Sequence, residues 1–222
     1  MESHFKNTTN GYYIYEKIFD WRRKMSAFLE AIKNRRSYYG LSKEQVVSDE
    51  KIQEVVNEAV LHTPSSFNSQ STRVVVLLKE QHDRLWDITA DELQKIVPAE
   101  NFATTKEKIS SFKAGYGTIL FFEDQEVVEG LQKQFALYAE NFPVWANQTN
   151  AMHQLVIWTA LEEVGFGASL QHYNPLIDEA VQVEWDIPSS WKLVAQMPFG
   201  KPTIEPGEKE FNPLENRVKI FK

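Results

Sequence analysis

Three short stretches of this chain hold residues whose types and spacing could do chemistry. Asn34-Arg35-Arg36-Ser37-Tyr38-Tyr39-Gly40 sets two guanidiniums beside a hydroxyl, a group of donors matched to a phosphate monoester. Cations are equally at home at a helix C-terminus, so capping explains the pair as well. His62-Thr63-Pro64-Ser65-Ser66-Phe67-Asn68-Ser69-Gln70 is small and polar and runs straight into Val74-Val75-Val76-Leu77-Leu78. Such a loop offers amides and hydroxyls to a polar ligand, although ordinary surface turns share its composition. The third stretch, Gly165-Phe166-Gly167-Ala168-Ser169-Leu170-Gln171-His172-Tyr173-Asn174-Pro175, follows the most apolar run of the chain.

Several other chemistries fall away. With no cysteine among 222 residues, disulfides, thiolate nucleophiles, iron-sulfur clusters and thiolate zinc sites are impossible, which fits a reducing cytoplasm. The histidines His62, His82, His153 and His172 lack metal-ligand spacing, so no metal is expected; the first three read as surface or satisfied core residues, and His172 is set apart by its neighbours. Gly165-Phe166-Gly167 lacks the third glycine of a dinucleotide fingerprint and leads into a strand, not a helix. Gly167-Ala168-Ser169-Leu170-Gln171 lacks the closing glycine of a nucleophile elbow. A net charge of -7, from 31 acidic and 24 basic residues, disfavours a nucleic-acid or anionic-membrane surface, so any anion site is local. No apolar run approaches the ~20 residues of a membrane span.

The elements that must position these stretches follow from periodicity. Phe28, Leu29 and Ile32 predict a short helix ending at Arg35 and Arg36. Ile52, Val55, Val56, Ala59 and Val60 mark the buried stripe of a helix opened by Asp49 and Glu50. Arg73 to Lys79 reads as a fully buried strand, and Thr118 to Phe122 as a second. Helices are predicted over 82–97, 104–112, 126–138, 149–164 and 175–185, with strands over 168–172 and 191–199. Asn141-Phe142-Pro143-Val144-Trp145 reads as an aromatic loop bordering a pocket or a subunit interface. The 149–164 helix is apolar nearly all round, so it is buried centrally or between subunits. Gly165 closes that helix. The tail from Thr203 carries isolated apolar anchors, Phe211, Leu214, Val218, Ile220 and Phe221, suited to wrapping a neighbour. Met25-Ser26 ahead of Ala27 to Ile32 reads as a natural start, which makes residues 1–24 a non-native or upstream extension and 25–222 a single α+β domain with a mixed or antiparallel sheet sandwiched by helices.

Four segments in order, Pro64-Ser65-Ser66-Phe67-Asn68-Ser69-Gln70-Ser71, Lys113-Ala114-Gly115-Tyr116-Gly117, Leu170-Gln171-His172-Tyr173-Asn174-Pro175 and Phe199-Gly200-Lys201-Pro202, resemble the FMN-dependent nitroreductases. The likeness is to the branch of the yeast fatty-acid repression protein and its bacterial nitroreductase-like relatives, and it runs from Met25 to Phe221. It implies a three-layer sandwich in an intertwined homodimer, with FMN at the subunit interface. It also implies an NADH- or NADPH-driven, ping-pong reduction of nitroaromatic or quinone-like acceptors. The alternative it leaves open is a flavin-holding or regulatory stress-response protein whose reductase activity is incidental.

By that resemblance Arg35, Arg36, Ser37 and Tyr39 would hold the phosphate and ribityl chain, with Lys209 joining from the tail. Leu170, Gln171 and His172 would face the isoalloxazine. Pro64, Ser65, Ser66 and Asn68 would come from the partner subunit, with Gln70 also among the cofactor contacts. The chain departs from the family at Phe211, where an arginine is frequent, at Ser71-Thr72, where Pro-Trp is frequent outside its branch, and at Tyr39, which replaces a ring-contacting lysine. Arg73 then becomes the candidate for stabilising the anion of reduced flavin. No acid-base side chain is required, because the cofactor carries the chemistry. Phe142, Trp145 and Tyr116 are candidates to border the acceptor, or simply core aromatics.

Overall fold

A computed structural model describes residues 27–222; the expected extension over 1–24 lies outside the described residues. The chain builds one antiparallel sheet between two helical layers. Helix α1 covers 27–34, followed by β1 (Leu41–Ser42), α2 (Asp49–His62), β2 (Thr72–Leu78), α3 (Glu80–Gln94), α4 (Ala99–Lys113) and β3 (Gly117–Asp124). Then come α5 (Gln125–Gln134), α6 (Phe142–Glu163), β4 (Gly167–Ala168), α7 (Asp178–Glu184) and β5 (Trp191–Pro202). The strand order is β1-β5-β3-β2, with β4 also pairing β5, and every ladder is antiparallel. Among the described residues the single parallel contact is the isolated bridge between Ser37 and Ala168.

Alternation along the strands divides the core in two. Ile119, Phe121, Ala195, Met197 and Phe199 meet Ile52, Val56 and Ala59 of α2 and Ile157 and Leu161 of α6. Leu77, Leu120, Phe122 and Leu193 face α3, α4 and α7 through Leu85, Trp86, Ile109, Phe112 and Val181. A bulge between Phe121 and Phe122 leaves Val194 unpaired.

Several elements differ from expectation, each for a physical reason. The expected fully buried 73–79 strand is half-buried except at Thr72 and Leu77, because β2 is the sheet's edge and β-branched runs do not distinguish an edge from a centre. The expected aromatic loop at 141–145 is helical: Pro143 sits in the first turn of α6, where its missing N–H costs nothing. The 126–138 helix stops at Gln134 and tightens into a 3-10 turn over Ala136–Asn141. The 104–112 helix starts earlier, at Ala99. The 175–185 helix begins only at Asp178, because residues through Ile177 form a turn. Along α6, Met152, Leu155 and Val156 stay exposed at about two-fifths of their surface, which leaves an apolar stripe uncovered by the described residues.

Candidate functional site

The first cluster forms where α1 ends. Arg35 donates the last helical bond, to the Ala31 carbonyl, and the chain then turns to lie alongside β4, with the Tyr38 amide on the Ala168 carbonyl at 2.9 Å. Gly167 permits that approach, since a Cβ there would lie 2.6 Å from the Tyr38 ring. Gly165, at φ 95°, turns the chain out of α6 toward it. The Arg35 guanidinium stacks 4.3 Å from the Trp158 ring, and its buried Nη1 has no hydrogen-bond partner among the described residues. Arg36 uses its backbone N–H on the Glu162 carboxylate and its guanidinium on the Gly207 carbonyl. Lys209 crosses from the tail to donate to the Lys33 and Arg35 carbonyls at 3.0 and 3.1 Å, so the tail's lysine caps the helix end while the two arginine side chains turn to Trp158 and Gly207.

These charges crowd one another. Desolvation, then Arg35 and Arg36, push the Lys209 ammonium below its ordinary pKa, with Glu162 opposing. Burial pushes the Glu162 carboxyl up to about 7 against the Arg36 amide, Arg35, the Trp158 indole and Lys209, all of which favour its charged form. The Trp158 N–H lies on the carboxylate's side yet forms no hydrogen bond, so its contribution is the weaker. Arg36, Ser37, exposed Tyr39 and the 204–208 segment line a cleft of about 420 Å³ beside the cluster.

Leu170, Gln171 and His172 continue from β4 along the edge of β5 that β3 does not occupy, toward the middle of that strand. Gln171 exchanges both backbone bonds with Gln196 (2.7 and 2.9 Å), and the Gln196 side chain accepts from the Tyr173 amide at 2.7 Å. His172 is exposed.

The second cluster is the 63–73 loop, and it is built differently. Phe67, Asn68 and Gln70 all hold positive φ (57°, 51° and 48°) without being glycine. Such strain persists only where the surroundings overdetermine it. Here the Phe67 ring sits among Phe135, Tyr138, Phe142 and Trp145, with centroids 4.9 to 6.2 Å away. Ser65 Oγ accepts the Gln70 amide at 3.0 Å. Below the loop, buried Glu123 accepts from Ser71 (2.7 Å), Thr72 (2.5 Å) and Asn150 (3.0 Å), and Gln154 braces Asn150 at 2.7 Å. Arg73 donates to the Gln70 carbonyl at 2.6 Å and to Asp124 at 3.0 Å. Gln70, Thr72 and Arg73 line one end of a groove of about 900 Å³ that runs between α2 and the β2 edge. Pro64 and Asn68 are exposed on the loop, and Ser66 is half-buried facing Phe142 and Trp145.

One chain therefore brings Arg35, Arg36, Ser37, Tyr39 and Lys209 together, sets Leu170 to His172 beside the same strand, and keeps the 63–73 loop in a separate cleft. Glu162 in the first cluster and Glu123 and Asn150 in the second escaped the motif reading, and Phe67 was read only as part of its loop. The available signals were a glutamate in the last turn of an apolar helix and an Asn-Gln pair at i, i+4 on its buried face.

Residues 32–201 match the model of the Nitroreductase family. The chain belongs to that family. Among nitroreductases, the Saccharomyces cerevisiae protein named HBN1 is 37% identical over 199 residues, covering 89% of this chain and 98% of its own. The structure of nitroreductase CinD from Lactococcus lactis, solved in complex with chloramphenicol, is 47% identical with a TM-score of 0.81, covering 88% of this chain and all of its own. CinD has also been solved with 4-nitrophenol. A fold neighbour from Desulfovibrio desulfuricans, 21% identical with a TM-score of 0.62 and covering 87% of this chain and 97% of its own, was solved in complex with FMN.

Within this nitroreductase fold, the first cluster has a definite chemical capacity. Three cations surround one half-buried carboxylate that forms no salt bridge with them, and among the described residues a buried guanidinium N–H points at no acceptor. An incoming phosphate monoester supplies the acceptor oxygens and charge that such a site lacks. The residues fit the phosphate of a flavin mononucleotide. Among the described residues no group of His, Asp or Glu side chains is placed to hold a metal ion, and no helix is long and apolar enough to cross a membrane.

Proposed function

We propose that this nitroreductase is an FMN-dependent oxidoreductase that takes NADH or NADPH and then a nitroaromatic or quinone-like acceptor in turn at one site. The orphaned, buried Nη1 of Arg35 beside Arg36 and Lys209 carries the reading. When bound, FMN supplies reversible electron transfer between a nicotinamide and an aromatic acceptor. The chain's own residues bind and orient. Arg35, Arg36, Ser37 and Lys209 grip the phosphate, and Tyr39 borders the ribityl chain. The backbone of Leu170, Gln171 and His172, braced by Gln196, lies against the ring. The likeness to a relative solved with 4-nitrophenol supports the acceptor class.

The ring-side loop of Pro64, Ser65, Ser66, Asn68 and Gln70 completes the site from a second copy of the chain. Three features support that homodimer: the two clusters occupy different clefts of one chain, β2 is an unpaired edge beside a large groove, and the tail leaves Phe211, Ile220 and Phe221 more than three-quarters exposed. Arg73 braces the loop with its charge countered by Asp124, so its effect on reduced flavin is modest. A cytoplasmic setting follows from the chemistry, since the donors are intracellular dinucleotides.

The test is direct. Purified protein reconstituted with FMN is expected to show a flavin spectrum, to bleach on mixing with NADH or NADPH, and to regain colour with 4-nitrophenol as acceptor. A protein that stays colourless after reconstitution overturns the cofactor. One that holds flavin but bleaches no faster with nicotinamide is a flavin-holding protein instead.

A further inference from the structure

Glu162 stands among cations without forming an ion pair of the usual kind. Both of its carboxylate oxygens accept the backbone N–H of Arg36, at 3.1 and 2.9 Å, and these are its hydrogen bonds among the described residues. The charged and titratable groups facing it come from three elements. Arg35 and Tyr38 flank it from the segment after α1, Lys209 from the tail, and Trp158 from its own helix one turn back. The Tyr38 hydroxyl is pushed up by burial first, then by Glu205 and Glu162. A carboxylate half-buried beside a phosphate site costs that site affinity whenever it is ionised, because it cancels a cation and opposes the incoming dianion.

We propose that Glu162 is a proton-linked positioning residue of the phosphate end, holding the Arg36 backbone in either protonation state and taking up a proton when a phosphate monoester binds. The proposal rests on the reading of this end as the FMN phosphate site. Neutral Glu162 still accepts the Arg36 N–H through its carbonyl oxygen, so the turn is kept while the nearest negative charge is removed from the three cations, leaving Glu205 and Glu208 on the cleft's outer side. Burial already carries the free carboxyl to about 7, so the exchange falls in the neutral range. Bound phosphate raises it further, and affinity for FMN therefore falls as pH rises.

The experiment titrates full-length protein freed of flavin with FMN and with riboflavin, following flavin fluorescence from pH 6.5 to 8.5. The phosphate monoester, with a second pKa of about 6, is mostly dianionic throughout. If binding raises the Glu162 pKa by about one unit, wild-type affinity for FMN falls about fivefold across the window. Glu162→Gln keeps an acceptor for Arg36 and cannot ionise, so its affinity stays within about twofold. Riboflavin, lacking the phosphate, shows no such fall with either protein. Equal slopes for wild type and Glu162→Gln overturn the proposal, as does a wild-type slope repeated by riboflavin. FMN bound by neither protein at any pH overturns the cofactor reading itself. Should Glu162→Gln not fold, calorimetry of FMN binding to wild type at pH 7.5 in two buffers of different ionisation heat decides. Net proton uptake supports the proposal, and none overturns it.

Discussion

The two halves of the candidate site solve opposite problems. The proposed phosphate end is under-satisfied: Arg35 Nη1 is buried without a partner among the described residues, Lys209 is depressed by desolvation and by its cationic neighbours, and burial raises the Glu162 carboxyl to about 7. The ring-side loop is over-satisfied. Its three left-handed residues are pinned by an aromatic nest above and a fully hydrogen-bonded glutamate below. On the proposed reading, the end that grips charge keeps the Arg35 donor in reserve, and the end that presents a shape spends its donors on itself.

Removing Arg35 and Arg36 together tests the contrast most severely. With each charge-assisted bond contributing roughly 1.5 to 3 kcal/mol, the Arg35→Ala/Arg36→Ala protein is expected to lose FMN affinity by about a hundredfold or more, with little change in melting temperature. Unchanged flavin retention would break the comparison outright. Glu123→Ala is expected to do the reverse. It strands the Ser71 and Thr72 hydroxyls and the Asn150 amide in the core and costs about 3 kcal/mol of stability, read by urea unfolding.

pH sharpens the comparison further. Burial lowers the His82 pKa to about 4, so the folded state refuses a proton that the unfolded chain accepts below about 6.5. Its contribution to stability is present above 6.5 and is lost as pH falls toward 4, by up to about 3 kcal/mol. Glu162 has the opposite sign: its raised pKa gives stability that is present below about 4.5 and lost as pH rises through about 7. Between pH 4.5 and 6.5 the two slopes oppose each other in flavin-free protein. Glu162→Gln is expected to expose a stability that climbs with pH over that range, and an unchanged profile would separate Glu162 from the titration. Phe67→Ala brings the smallest change. The half-exposed ring gives up its four aromatic contacts, about 1 kcal/mol, and FMN affinity falls only if the loop's shape serves the ring.

The positions of the helices were legible because an apolar stripe at 3.6-residue spacing can be buried in only one way, as Ile52, Val56 and Ala59 show. The edge character of β2 was not, since Val74 to Leu78 would read the same at a sheet's centre. Nor was the helical start of α6, where a proline between aromatics reads as a loop until the first turn forms around it.

The family and the adjacent pair of arginines belong to the sequence, because residue identity alone fixes charge, donor count and hydroxyl. The company those arginines keep was decided by tertiary structure. Glu162 lies 126 positions from Arg36, and Lys209 lies 174 from Arg35. Only the antiparallel return of β5 and the turn at Gly165 bring them together, and no local pattern encodes a pKa that arises from burial beside distant charges.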